Sequence, residues 1–62
     1  MEEANKELEF LEKKYSSYKS KVFRENQILG DIIMNINSYP KKSKRGKHWS
    51  LVRDLYDKKY NL

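Results

Sequence analysis

Apolar residues recur at alternating steps of three and four along the first part of this chain, and that spacing constrains its fold more than any other feature. With Leu8 as a heptad a position, Leu11 is d, Tyr15 a, Tyr18 d, Val22 a, Leu29 a, Ile32 d and Ile36 a. Met1 and Ala4 extend the register backwards, and Glu25 is its one charged member. Such steps keep side chains on one helical face, and a register held over several heptads predicts a coiled coil or a bundle seam. Residues 2–37 contain no Pro and a single Gly, Gly30. Glu, Lys, Leu and Ala, which favour helix, dominate the first half. The spacing therefore predicts one long amphipathic, coiled-coil-type helix over the segment 1–37. Ile28 and Ile33 broaden the stripe beyond Glu25, which suits a bundle in which a further helix packs on this face.

A helix of that length would run roughly 54 Å at 1.5 Å per residue, and the remainder of a 62-residue chain is too small to cover it. Domains of this size bury only about 60% of their unfolded surface, and they draw on disulfides, metals or partner chains for stability. The chain has no Cys and one His, so it has neither a disulfide nor the ligands of a structural zinc site. Association is the remaining route. The expected oligomer interface is Leu8, Leu11, Tyr15, Tyr18, Val22, Leu29, Ile32 and Ile36, facing a second copy or a helical protein partner.

Charge orients that pairing. A parallel, in-register dimer would set Glu7 against Glu12 and Lys14 against Lys19, contacts between like charges. An antiparallel overlap centred near residue 15 sets Glu7 against Lys21 and Glu12 against Lys19. An antiparallel homodimer is therefore favoured.

The segment 38–48, SYPKKSKRGKH, reads as a basic loop. Pro40 removes a backbone donor and holds Tyr39 out of helical geometry, and Gly46 adds flexibility. A short helix is expected over 49–62, capped by Ser50, with Leu51, Val52, Leu55, Tyr56 and Tyr60 on its apolar side. A helix this short is marginal alone. It should dock near residues 28–36, with Trp49 and Tyr56 contributing most burial. The fold class is all-α: a long N-terminal helix, a basic loop and a short C-terminal helix, forming a helical hairpin or a bundle built by oligomerisation.

The net charge of +5 is unevenly placed: the first 38 residues carry −1 and the last 24 carry +6. Lys41, Lys42, Lys44, Arg45 and Lys47 lie within seven residues, with no acid between Asp31 and Asp54. Such a cluster can neutralise phosphates and release counterions. Trp49 or Tyr39 could stack on a base, although a lone Trp is more often a core anchor. PKKSKR also matches the short basic pattern of a nuclear import signal, and the plainest reading is a solvated loop. A basic zipper is a poor fit, because here the basic run follows the coil and contains Pro and Gly.

Catalysis has little support. His48 stands alone in a basic stretch, and Glu7, Glu9 and Glu12 read as a solvated helix face rather than a positioned acid–base pair. Asp54 and Asp57 make a weak cation site that Lys58 and Lys59 oppose. No catalytic residue, metal or cofactor is expected. Apolar runs are far too short to span a bilayer, and the acidic MEEANKELE is the reverse of a signal peptide. An intracellular, soluble protein is expected, nuclear if the host is eukaryotic and the basic loop is an import signal. The expected function is a small non-enzymatic helical protein that oligomerises through the heptad seam. It contacts DNA or RNA through Lys41, Lys42, Lys44, Arg45, Lys47 and Trp49. The alternative is a coiled-coil interaction module, an assembly or inhibitor subunit, whose basic loop meets an acidic partner or serves import.

Overall fold

The computed structural model describes residues 2–60. It holds three helices, α1 (Glu2–Lys14), α2 (Lys21–Ser38) and α3 (Lys44–Tyr60), and no strand among the described residues. The chain is all-α. Met1, the first position of the heptad register, and the last two residues of the expected 49–62 helix lie outside the described residues.

The single helix expected over residues 2–37 is two helices. α1 is electrostatically complete: Glu2 and Glu3 occupy its first turn and Lys13 and Lys14 its last, each end complementing the helix dipole. Beyond it, Ser16, Ser17 and Ser20 are poor helix formers that offer the backbone local hydrogen bonds. The Ser16 hydroxyl donates to the Lys13 carbonyl at 2.8 Å. Ser20 caps α2 with an extended backbone, its Oγ accepting from the Phe23 amide at 3.2 Å. Arg24 closes the turn by donating to the Tyr18 carbonyl at 2.7 Å. The heptad spacing runs through this break because residues 15–20 happen to preserve its count.

The expected loop 38–48 is shortened in the same way. α3 starts at Lys44, ahead of the expected 49, and Ser43 rather than Ser50 caps it. The Ser43 Oγ accepts from the Gly46 amide at 3.0 Å and donates to the Pro40 carbonyl at 2.7 Å. Its own carbonyl accepts from the Lys47 amide at 3.0 Å. Gly46 is therefore a buried helical residue, and its role is close approach instead of flexibility. A β-carbon there would stand 2.1 Å from the Pro40 oxygen.

These two turns let the chain cover its own seam. The tight 39–43 turn folds α3 back antiparallel to α2, so that the Tyr56 hydroxyl reaches the Glu25 carbonyl at 3.2 Å. α3 also lies along α1, and the contacts Glu7–His48 and Glu12–Lys59 rise together in number. Those two helices therefore run parallel. α1 and α2 touch mainly where Tyr15 donates to Asp31 at 2.6 Å, beside Lys14 at 3.4 Å.

The core is Ala4, Leu8, Leu11 and Tyr15 from α1 and the residue just beyond it, Ile28 and Ile32 from α2, and Val52 and Tyr56 from α3. Leu29, Ile36, Trp49, Leu55 and Tyr60 pack against it, partly exposed. Ile32 and Val52 are fully buried, each contributing about 1.5–3 kcal/mol of hydrophobic stabilisation. Of the eight residues expected at an oligomer interface, Leu8, Leu11, Tyr15 and Ile32 are buried inside one chain. Leu29 and Ile36 are half-buried, and Tyr18 and Val22 are exposed. α3 occupies the place assigned to a second chain. The radius of gyration is 11.4 Å, close to the roughly 11 Å of a compact chain of this length.

Candidate nucleic-acid interface

The basic cluster straddles the 39–43 turn and the first turn of α3. Lys41 and Lys42 stand on the turn, and Lys44, Arg45 and Lys47 on the helix; all five are exposed. Ser43 and Gly46 position them. The Ser43 cap sets where the helix begins, and the bare α-carbon of Gly46 lets the Pro40 carbonyl lie against it. The turn is thus held against the helix end, and its lysines keep a fixed neighbourhood with Lys44, Arg45 and Lys47.

This helix end breaks the usual charge rule. The N-terminus of a helix carries the positive end of the dipole, where cations are unfavourable by about 0.3–1 kcal/mol each at low salt. α3 has no acid in its first turn. Among the described residues, none of the five cations is ion-paired with a carboxylate. The ion pairs fall elsewhere, at Lys14–Asp31, His48–Glu7, Arg53–Asp57 and Lys59–Glu12. Arg45 is oriented by an aromatic group: its guanidinium lies 5.5 Å from the Tyr39 ring centroid and donates to the Tyr39 hydroxyl at 3.1 Å.

One side of the patch is acidic. An open groove between α1 and α3 is lined by Glu3, Lys6, Glu7 and Phe10 on one wall and Lys44, Arg45 and His48 on the other. His48 Nε2 lies 3.2 Å from Glu7 Oε1. A polyanion would therefore approach from the turn side, over Lys41 and Lys42, and be repelled from the α1 wall.

Trp49 does not stand with the cluster as a stacking platform. It is half-buried against the core, with the His48 ring edge-on at 5.5 Å. Tyr39, half-buried on the turn beside Arg45, is the aromatic group that accompanies the cations. Sequence reasoning missed the parts played by Ser43, Glu3 and Glu7. Ser43 is by itself a favoured N-cap residue type, but the approach of α1 to α3 has no local signature.

Among the described residues no helix is long and apolar enough to cross a membrane. No family model matches the chain, and neither a curated protein nor a solved structure matches it at a significant level.

Proposed function

We propose that this chain is a non-enzymatic nucleic-acid-binding protein that meets phosphates with Lys41, Lys42, Lys44, Arg45 and Lys47. The observation that carries this reading is the concentration of five exposed cations, without ionic partners among the described residues, at the positive end of a helix dipole. Such an arrangement destabilises the folded chain and is relieved by a bound polyanion, since backbone amides and cations then point at the same phosphates. Departures from local rules of this kind mark functional sites. Trp49 belongs to the core in this reading, and Tyr39 is the candidate for stacking. This reading does not require self-association through the 8–36 seam, of which Leu8, Leu11, Tyr15 and Ile32 are buried within one chain.

Salt-titrated binding to labelled single-stranded RNA and duplex DNA tests the proposal. Binding should weaken steeply with salt. The combined Lys41→Ala, Lys42→Ala, Lys44→Ala and Arg45→Ala variant should bind far more weakly, with the slope of its residual low-salt binding reduced by about 0.7–0.9 per lost phosphate contact. A charge-matched control removing Lys6, Lys19, Lys21 and Lys58 should bind nearly as wild type. Absence of wild-type binding at low salt would falsify the reading.

A second reading is a protein-interaction module whose basic turn meets an acidic partner. It draws on Phe10, 60% exposed at the edge of the mixed groove, an apolar anchor that phosphate binding does not need. Phe10→Ala should leave nucleic-acid affinity unchanged and weaken a protein partner.

A further inference from the structure

Among the described residues, seven large apolar side chains stay exposed, and they are not scattered evenly: four of them, Val22, Phe23, Ile33 and Met34, at 67%, 48%, 38% and 68% exposure, belong to α2. At 3.6 residues per turn they fall within about 120° of the helix circumference, with Asn26, Gly30 and Asn37 between them. No charged residue lies in that arc. Gly30 is exposed at its centre, and a β-carbon there would meet nothing within 4 Å. A mid-helix glycine over open space costs helix stability without serving any packing inside the chain.

Apart from Asn37, which lies beyond Met34 near the end of the helix, the residues of this face are symmetric about residue 28. Val22 and Phe23 precede it by six and five positions, Met34 and Ile33 follow it by six and five, and Asn26 and Gly30 stand two positions either side. A face that reads alike in both directions meets the demand of a two-fold interface, in which one patch must complement itself. We propose that α2 pairs through this face with α2 of a second copy, antiparallel and centred at residue 28. Val22 then packs on the partner's Ile33 along one edge and Phe23 on the partner's Met34 along the other. Between them the partner's Asn26 enters the space above Gly30.

Charge selects the same direction. Antiparallel pairing puts the two basic clusters beyond opposite ends of the paired helices, separated by at least about 30 Å, several Debye lengths at physiological salt. Parallel pairing would set the two clusters side by side. The contact spans only about 18 Å of helix, below the standard interface size, so association is weak and reversible. This surface shares only Val22 with the 8–36 seam, and it acts whether or not the basic cluster binds nucleic acid.

Sedimentation equilibrium of the full chain over a concentration series tests the proposal. The expected result is a monomer–dimer equilibrium that Ile33→Glu and Met34→Glu each weaken at least tenfold. Both sites are exposed, and circular dichroism should show the helices intact. Gly30→Leu, which favours helix yet fills the space facing Asn26, should weaken the dimer to a similar degree. Wild type that remains monomeric up to about 1 mM, or a dimer unaffected by all three substitutions, overturns the proposal. Because the chain has no Cys, orientation can be read directly. Val22→Cys mixed with Ile33→Cys should cross-link quickly and Val22→Cys alone should not; efficient cross-linking of Val22→Cys to itself overturns the antiparallel pairing.

Discussion

Gly46 lies against the carbonyl of Pro40 so closely that any side chain at position 46 would collide with backbone: the β-carbon would stand 2.1 Å from the oxygen and 3.2 Å from the Lys41 α-carbon. Backbone cannot rotate away as a side chain can. Gly46→Ala should therefore destabilise the chain by about 1–3 kcal/mol. Gly30→Ala, over open space, should stabilise the monomer by about 0.5–1 kcal/mol. Urea unfolding at low protein concentration checks both signs, and equal effects at the two glycines would contradict the packing of the turn on α3.

Ser43 holds the same junction from the other side. Ser43→Ala removes the acceptor of the Gly46 amide and the donor to Pro40, and should cost about 1 kcal/mol, the usual loss for a helix cap. Ser50→Ala, in mid-helix at an exposed position, should be neutral or slightly stabilising. Thermal melts of the two variants distinguish a helix beginning at residue 44 from one beginning near 50.

Val22 and Ile32 share one heptad register but differ in environment, at 67% and 0% exposure. Ile32→Ala should cost about 2–5 kcal/mol, enough to unfold much of a domain this small. Val22→Ala should change monomer stability by no more than about 0.5 kcal/mol. A long coiled coil would make the two losses comparable, so denaturation of both variants in dilute solution separates the architectures.

Three tyrosines make the fold sensitive to alkali. Burial raises Tyr60 most, assisted by its hydrogen bond to Glu12. Burial also raises Tyr56, with the charge of Glu25 adding to it. The hydrogen bond to Asp31 raises Tyr15, and burial adds to that. An unfolded Tyr titrates near pH 10. Above that value the unfolded chain loses protons that the folded chain retains, so stability is full below about pH 10 and falls as pH rises further. Tyr60→Phe should cost about 1 kcal/mol at neutral pH and flatten the alkaline fall. Urea midpoints measured from pH 7 to 11 check both effects.

Much of the site was legible because it is local in sequence. Lys41, Lys42, Lys44, Arg45 and Lys47 are exposed where the composition put them, and the Pro40 break lies where a missing donor requires one. Leu8, Leu11, Tyr15 and Ile32 pack inside the chain while Tyr18 and Val22 of the same register stand exposed, since periodicity records which residues could share a face and not where the helix stops. The serines at 16, 17 and 20, together with the Glu2–Glu3 and Lys13–Lys14 ends of α1, were the available signal for that break. Trp49 has the ring that stacking on a base requires and follows the basic run directly in sequence, but on α3 it packs against the core.

Helical character, the position of the apolar stripe and the location of the positive charge follow from the sequence by itself, because each depends on residues within a few positions of one another. Whether the stripe meets another chain or its own C-terminal helix was decided only in three dimensions. The tight turn at Ser43 and Gly46 and the break at Ser16–Ser20 bring α3 between α1 and α2. That geometry buries Leu8, Leu11 and Ile32 within one molecule and leaves a different face of α2 uncovered. Packing of this kind depends on side chains as far apart as Glu12 and Tyr60, a relationship that no local pattern encodes.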